Sequence, residues 1–194
     1  LADAVEELVK ARIVHHDIKS NNVMYSDTQH VPIVIDFGVS FQLSDLYKTE
    51  TLKTIFFSPY EQYPPWCSEI MCIAKLSEHE KWETKKTDAS ALVAIANQYF
   101  SSNPLAGLTS NATLQKYHAK WRKYMNELNG KTGKSALKTL LAHWNTWDIY
   151  SVNAMYYMIA TTSKPNLPED YQDYLATQLF CLPSERHDPK KVIT

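Results

Sequence analysis

A mainly α-helical fold carrying one small β-hairpin is what this sequence predicts, and three observations lead there. Apolar residues recur at helical spacing over residues 1–13 and in stretches near 68–82, 86–100, 112–128, 134–146 and 171–182. The run from Ala154 to Ile159 is apolar nearly all round, as a buried helix should be. Two short apolar runs, Val23-Met24-Tyr25 and the Val/Ile-rich Val31 to Ile35, flank the polar turn Ser26-Asp27-Thr28-Gln29-His30 and read as a hairpin.

With 194 residues there is ample material for a core. The net charge of −1 says little about partners, and no apolar run approaches the length of a membrane span. Three cysteines, Cys67, Cys72 and Cys181, lack metal-ligand spacing and cannot all pair, which suits a reducing, cytoplasmic setting. The first residues, Leu1-Ala2-Asp3-Ala4-Val5-Glu6-Glu7, carry no signal-peptide pattern and read as the middle of a helix, so a fragment of a longer protein is expected.

The densest chemistry lies near the front. Val14-His15-His16-Asp17-Ile18-Lys19-Ser20-Asn21-Asn22-Val23 is followed by Ile33-Val34-Ile35-Asp36-Phe37-Gly38, each a polar turn beside a short apolar run. Asp17, Asn22 and Asp36 supply three short oxygen-bearing side chains. Phosphoryl transfer uses such a set: one carboxylate orients an attacking hydroxyl and accepts its proton, while an amide and a second carboxylate hold the metal on the phosphates. Two protein oxygens suffice for Mg²⁺ because nucleotide phosphates and water supply the others. The hairpin would present Asn22 and Asp36 from adjacent strand ends.

His15-His16-Asp17-Ile18-Lys19-Ser20-Asn21-Asn22 resembles the catalytic loop H-R-D-L-x-x-x-N of eukaryotic-type Ser/Thr protein kinases, and Asp36-Phe37-Gly38 matches their D-F-G. The resemblance implies ATP and Mg²⁺ as cofactors and a protein substrate. Asp17 would be the base, Lys19 would steady the transferred phosphate, and Asn22 and Asp36 would hold the metal. His15, Phe37 and Gly38 would be structural supports. Lys19, two residues after Asp17, favours Ser/Thr over Tyr acceptors. His16 stands where many kinases have an Arg that receives activation-loop phosphate, so loop phosphorylation is not expected to be the main switch.

Residues 39–60 lack periodicity and read as a long functional loop, matching the activation segment, in which Thr54 or Thr51 would contact Lys19. Ser58-Pro59-Tyr60-Glu61 resembles the A-P-E region, with Glu61 as the structural glutamate. Asp148-Ile149-Tyr150-Ser151-Val152-Asn153 resembles the D-x-W-S-x-G opening the central helix of the kinase C-terminal lobe, so Asp148 would accept backbone N–H bonds from the catalytic loop. Leu182-Pro183-Ser184-Glu185-Arg186 resembles the loop whose Arg pairs with that glutamate, giving an expected Glu61–Arg186 pair.

The resemblance covers residues 1–61 and 145–194 as a C-terminal lobe. The Gly-rich loop, strand Lys and helix Glu of an N-terminal lobe are not found here, so this stretch alone is expected to be inactive. Residues 62–144 are a helical insertion. From Ser68 to Trp147 there are 11 Lys/Arg against 6 Asp/Glu, a balance of +5, against −6 elsewhere. A solvated face is the ordinary meaning of such an excess, and docking of an acidic partner the sharper one. No nucleic-acid partner and no membrane is expected. His16, Asn153 and the insertion suggest a divergent member, of the kind large DNA viruses carry. A small-molecule phosphotransferase of the same fold and a catalytically silent, pseudokinase-like binding module remain alternatives. Gly130-Lys131-Thr132-Gly133-Lys134-Ser135 ends like a phosphate-binding P-loop but has Leu128 where the first Gly belongs, so it reads as an inter-helix turn. Asn111-Ala112-Thr113 fits a glycosylation sequon with nothing else to suggest secretion.

Overall fold

The computed structural model describes residues 1–56, 60, 62–163, 168 and 170–189. They form a mainly helical protein with two small antiparallel sheets of two strands each. Helix α1 (Ala2–Lys10) carries Asp3 in its first turn and Lys10 in its last, and buries Val5 completely. Its run stops short of residue 13 because Arg12 adopts φ 57°, turning the chain into β1 (Ile13–Val14). The expected hairpin forms as β2 (Val23–Ser26) and β3 (Val31–Val34), with Val23 opposite Val34 and Ser26 opposite Val31. β1 pairs instead with β4 (Phe41–Gln42), Val14 facing Phe41.

The stretch expected to be a loop over 39–60 is more ordered than its periodicity suggests. After β4 comes a 3₁₀ turn, Leu43–Tyr47, with a reciprocal capping box between Gln42 and Asp45, and then helix α2 (Thr49–Ile55). Leu43, Leu46, Leu52 and Phe56 are all buried, so tertiary packing, which weak local spacing does not reveal, orders the segment.

Helices α3 (Ser68–Ser77), α4 (Ala89–Ser102), α5 (Pro104–Gly107), α6 (Asn111–Asn126) and α7 (Gly133–Leu140) follow. Side chains of Asp88, Asn103, Ser110 and Thr132 cap the last four by accepting a backbone N–H. These helices do not stand apart. Tyr99, Trp121 and Leu140 lie in one hydrophobic core with Val14, Phe41, Trp147, Tyr150 and Phe180. The Trp121 indole donates to the Phe180 carbonyl at 2.9 Å, and the Tyr99 and Tyr150 hydroxyls meet at 2.6 Å.

A 3₁₀ stretch, Leu141–Thr146, leads into α8 (Trp147–Thr162), the central helix. Its first half, Trp147 to Ala154, is buried throughout, and Tyr157 and Ala160 are buried farther along. Beyond that half Tyr156, Met158 and Ile159 are exposed, so the apolar run from Ala154 to Ile159 is only half covered. α9 (Tyr171–Phe180) packs on α8, and the chain turns through Pro183–Glu185 to Arg186. Cys67, Cys72 and Cys181 are free and buried. Among the described residues no helix is long and apolar enough to cross a membrane.

Candidate functional site

The site is built where the loop after β1 crosses the N-terminus of α8. Asp148, in the first turn of α8, is 3 % exposed, and its two carboxylate oxygens accept the backbone N–H groups of His15 and His16 at 2.7 and 3.0 Å. Burial pushes the Asp148 carboxyl upward, and the two amide donors oppose that shift by favouring the charged form. The grip holds His16 at φ 70°, a left-handed conformation that needs a tertiary reason in a non-glycine residue. Asp148 therefore stands where the sequence placed it, as a support for the loop.

His15 is buried. Its Nδ1 accepts the Asp17 amide at 3.3 Å and its Nε2 lies 3.1 Å from the Ile35 carbonyl, so the assigned tautomer puts the proton on Nε2. Its ring meets Phe37 edge-on at 4.7 Å, although Phe37 is itself half exposed. His16 is buried among Phe41, Phe56 and Trp66, stacked on Trp66 at 4.8 Å, with neither ring nitrogen hydrogen-bonded among the described residues. Burial drives its pKa down to about 3, so it is neutral at physiological pH. The Trp66 indole closes this side by donating to the His16 carbonyl at 2.8 Å.

Asp17, Lys19 and Asn22 come together. The Asn22 amide donates to both the Asp17 carbonyl and Asp17 Oδ2 at 2.9 Å, and Lys19 Nζ reaches the same Oδ2 at 3.0 Å. The Asp17 side chain remains 16 % exposed, so a solvent-borne group can reach it. Asp36 joins through the backbone: Ile35 N–H donates to the Asn22 carbonyl at 2.9 Å, which sets the two segments side by side. The Asp36 carboxylate itself accepts the Gly38 amide at 3.2 Å and bonds to none of Asp17, Lys19 and Asn22. With φ 64°, Asp36 is also left-handed, and a Cβ at Gly38 would sit 3.1 Å from Asp36 Oδ1, so this tight turn favours glycine.

Two expected contacts are replaced. Among the described residues Lys19 Nζ bonds to Asp17 and Tyr63 and to neither Thr54 nor Thr51; the Thr54 hydroxyl donates to the Glu50 carbonyl within α2. Tyr63 takes that place, accepting from Lys19 Nζ at 3.1 Å while its hydroxyl donates to Asp17 Oδ1. The bonds to Tyr63 and Asp17 raise the Lys19 pKa, and burial and the Asp17 bond raise that of Tyr63. Arg186 does not wait for Glu61, which lies outside the described residues. Its guanidinium holds Glu69, in the first turn of α3, through Nη1–Oε1 at 3.0 Å and Nη2–Oε2 at 3.3 Å. Local likeness to a Pro-x-Glu pattern pointed to Glu61, but burial decides: both side chains of the actual pair are wholly enclosed.

Asn22 and Asp36 carry oxygen donors of the kind a magnesium ion accepts. Among the described residues the Asn22 side chain bonds only through its amide nitrogen and the Asp36 side chain only through Oδ1, so one oxygen on each has no protein partner there. Among the described residues no group of three or more His, Cys, Asp and Glu side chains could hold a metal unaided. Comparison with known protein families, curated proteins and solved structures finds no match to this chain.

Proposed function

We propose that this chain carries the catalytic loop of a phosphotransferase of protein-kinase type, moving the ATP γ-phosphate to Ser or Thr hydroxyls of proteins. The observation that carries the reading is the Asp17 carboxylate, tied at Oδ2 by Asn22 and Lys19 and still open to solvent. In that reading Asp17 orients the acceptor hydroxyl and takes its proton. Lys19, 3.0 Å from Asp17 Oδ2, would steady the phosphoryl oxygens as charge moves onto the leaving group. Asn22 and Asp36 would hold Mg²⁺, whose charge offsets that of the phosphates when bound. Asp148 supports the reading by fixing the loop from a distant helix. The Arg186–Glu69 pair favours a protein kinase over a small-molecule phosphotransferase, since it ties the first turn of α3 to the turn after α9 in the manner the resemblance implies for that Arg.

A catalytically silent binding module is the second reading, favoured by the Tyr63 hydroxyl on Asp17 Oδ1. The two separate in one experiment on the full-length protein: transfer of labelled γ-phosphate from MgATP to protein, with Asp17→Asn beside wild type and folding checked by circular dichroism. Phosphotransferase activity predicts a loss of about 100-fold or more in the variant. Absence of transfer by wild type favours the binding module, and an Asp17→Asn variant as active as wild type rejects the assigned base.

A further inference from the structure

The basic excess of the insertion is gathered by its folding. Residues 83–87 zip onto 130–134: Lys134 N–H donates to the Glu83 carbonyl at 3.0 Å, Gly133 to Lys85 at 2.9 Å and Thr87 to Lys131 at 2.8 Å, around a Lys86–Thr132 bridge. Gly133 is required for this approach, because a Cβ there would lie 2.0 Å from the Trp82 carbonyl oxygen. Lysines distant in sequence are thereby drawn together: Lys81, Lys85 and Lys86 from one segment, Lys131, Lys134 and Lys138 from the other. All six are exposed, and none forms an ion pair among the described residues.

Beside them, between the Leu43–Tyr47 turn and α7, lies a groove of about 420 Å³ lined by Leu46, Tyr47, Leu137 and Leu141, with Lys134 and Lys138 on its wall. Tyr47 is 72 % exposed there. Glu83 also lines the groove, and nearby Asp45 is already paired with Lys48 at 3.0 Å. Lys85 and Lys86 line a second, smaller hollow, which shares Trp82 with the groove.

We propose that this groove docks an acidic peptide segment of a partner protein, one large apolar side chain entering between Tyr47 and Leu137 while flanking carboxylates meet Lys134 and Lys138. Charge complementarity selects the acidic partner, and the leucine lining selects a peptide over a nucleic acid, whose phosphates make no use of it. The inference stands whether or not the chain transfers phosphate.

The test is fluorescence anisotropy of the full chain with a short labelled peptide of Glu and Asp around a single leucine. Sub-millimolar binding is expected, weakening with added salt. It should fall about tenfold in the Lys134→Glu/Lys138→Glu double variant, in Tyr47→Ser, and with the peptide leucine changed to serine. These positions are exposed, so circular dichroism should show all variants folded. Three results would overturn the proposal: no binding at millimolar peptide, binding indifferent to the lysine reversal, or equal binding of a single-stranded oligonucleotide or of the leucine-free peptide.

Discussion

Arg186 and Glu69 lie 117 positions apart in the chain and meet as an enclosed two-point ion pair. Nη1 of Arg186 also donates to Thr146 Oγ1 at 3.0 Å, and the guanidinium carbon lies 5.1 Å from the centre of the Tyr150 ring. The pair thus joins α3, the entry to α8 and the turn after α9 at one point. Removing one partner leaves a buried charge without compensation. Glu69→Ala should therefore lower unfolding free energy by about 3–5 kcal/mol, read from urea denaturation. A paired Glu69→Leu/Arg186→Met replacement should recover much of that loss. A single variant as stable as wild type would remove the pair from the account of the fold.

Asp148→Ala should cost about 2–4 kcal/mol, since the His15 and His16 amides lose a buried acceptor. Hydrogen exchange read by mass spectrometry checks the location: peptides spanning residues 13–19 should exchange faster, and those in α4 and α6 should change little. Asp148→Asn, which keeps one oxygen, should fall between the two.

His16 makes stability depend on acid. Its folded pKa of about 3 lies below the ordinary histidine value, so the unfolded chain takes up a proton first as pH drops. The stabilisation is fully present above about pH 6.5 and is lost progressively as pH falls toward 3, amounting to a few kcal/mol in all. A His16→Phe variant should show a shallower decline over that window. Equal slopes for the two proteins would show that His16 does not remain neutral in the fold.

The same burial bears on regulation under the proposed function. A neutral ring enclosed by Phe41, Phe56 and Trp66 offers nothing to a phosphate. Phosphatase treatment of the full-length enzyme should leave its activity within about twofold; a large loss would mean that another cation receives a loop phosphate.

Tyr63→Phe removes one hydroxyl from Asp17 and Lys19. Stability should fall by about 1 kcal/mol. Under the proposed function, kcat should also fall severalfold with the KM for ATP unchanged, because the phenol aligns Asp17 and Lys19 with each other. A change confined to the KM for ATP would instead place Tyr63 in nucleotide binding.

Local pattern carried the hairpin well: short apolar runs either side of five polar residues gave β2 and β3 nearly to the residue. The Asp17–Lys19–Asn22 cluster was equally readable, because its members lie within five positions of one another. What escaped was decided by distance. α2 has little helical spacing of its own and is ordered by burying Leu52 and Phe56. Glu69 sits among apolar neighbours with no motif to mark it, while Glu61 stands in a Pro-x-Glu setting that imitates one. Tyr63 had only the following Pro64-Pro65 as a signal, and a stiff turn does not say which side chain it aims.

Asp148 grips His15 and His16 across more than 130 positions of chain. The conformation of the loop is therefore a property of the whole protein, although its chemistry is spelled in eight consecutive letters. A chain cut before α8 would keep every atom of His15 to Asn22 and lose the clamp that bends them. Under the proposed function, catalytic competence can be abolished by a change about 130 positions downstream while His15 to Asn22 stay intact.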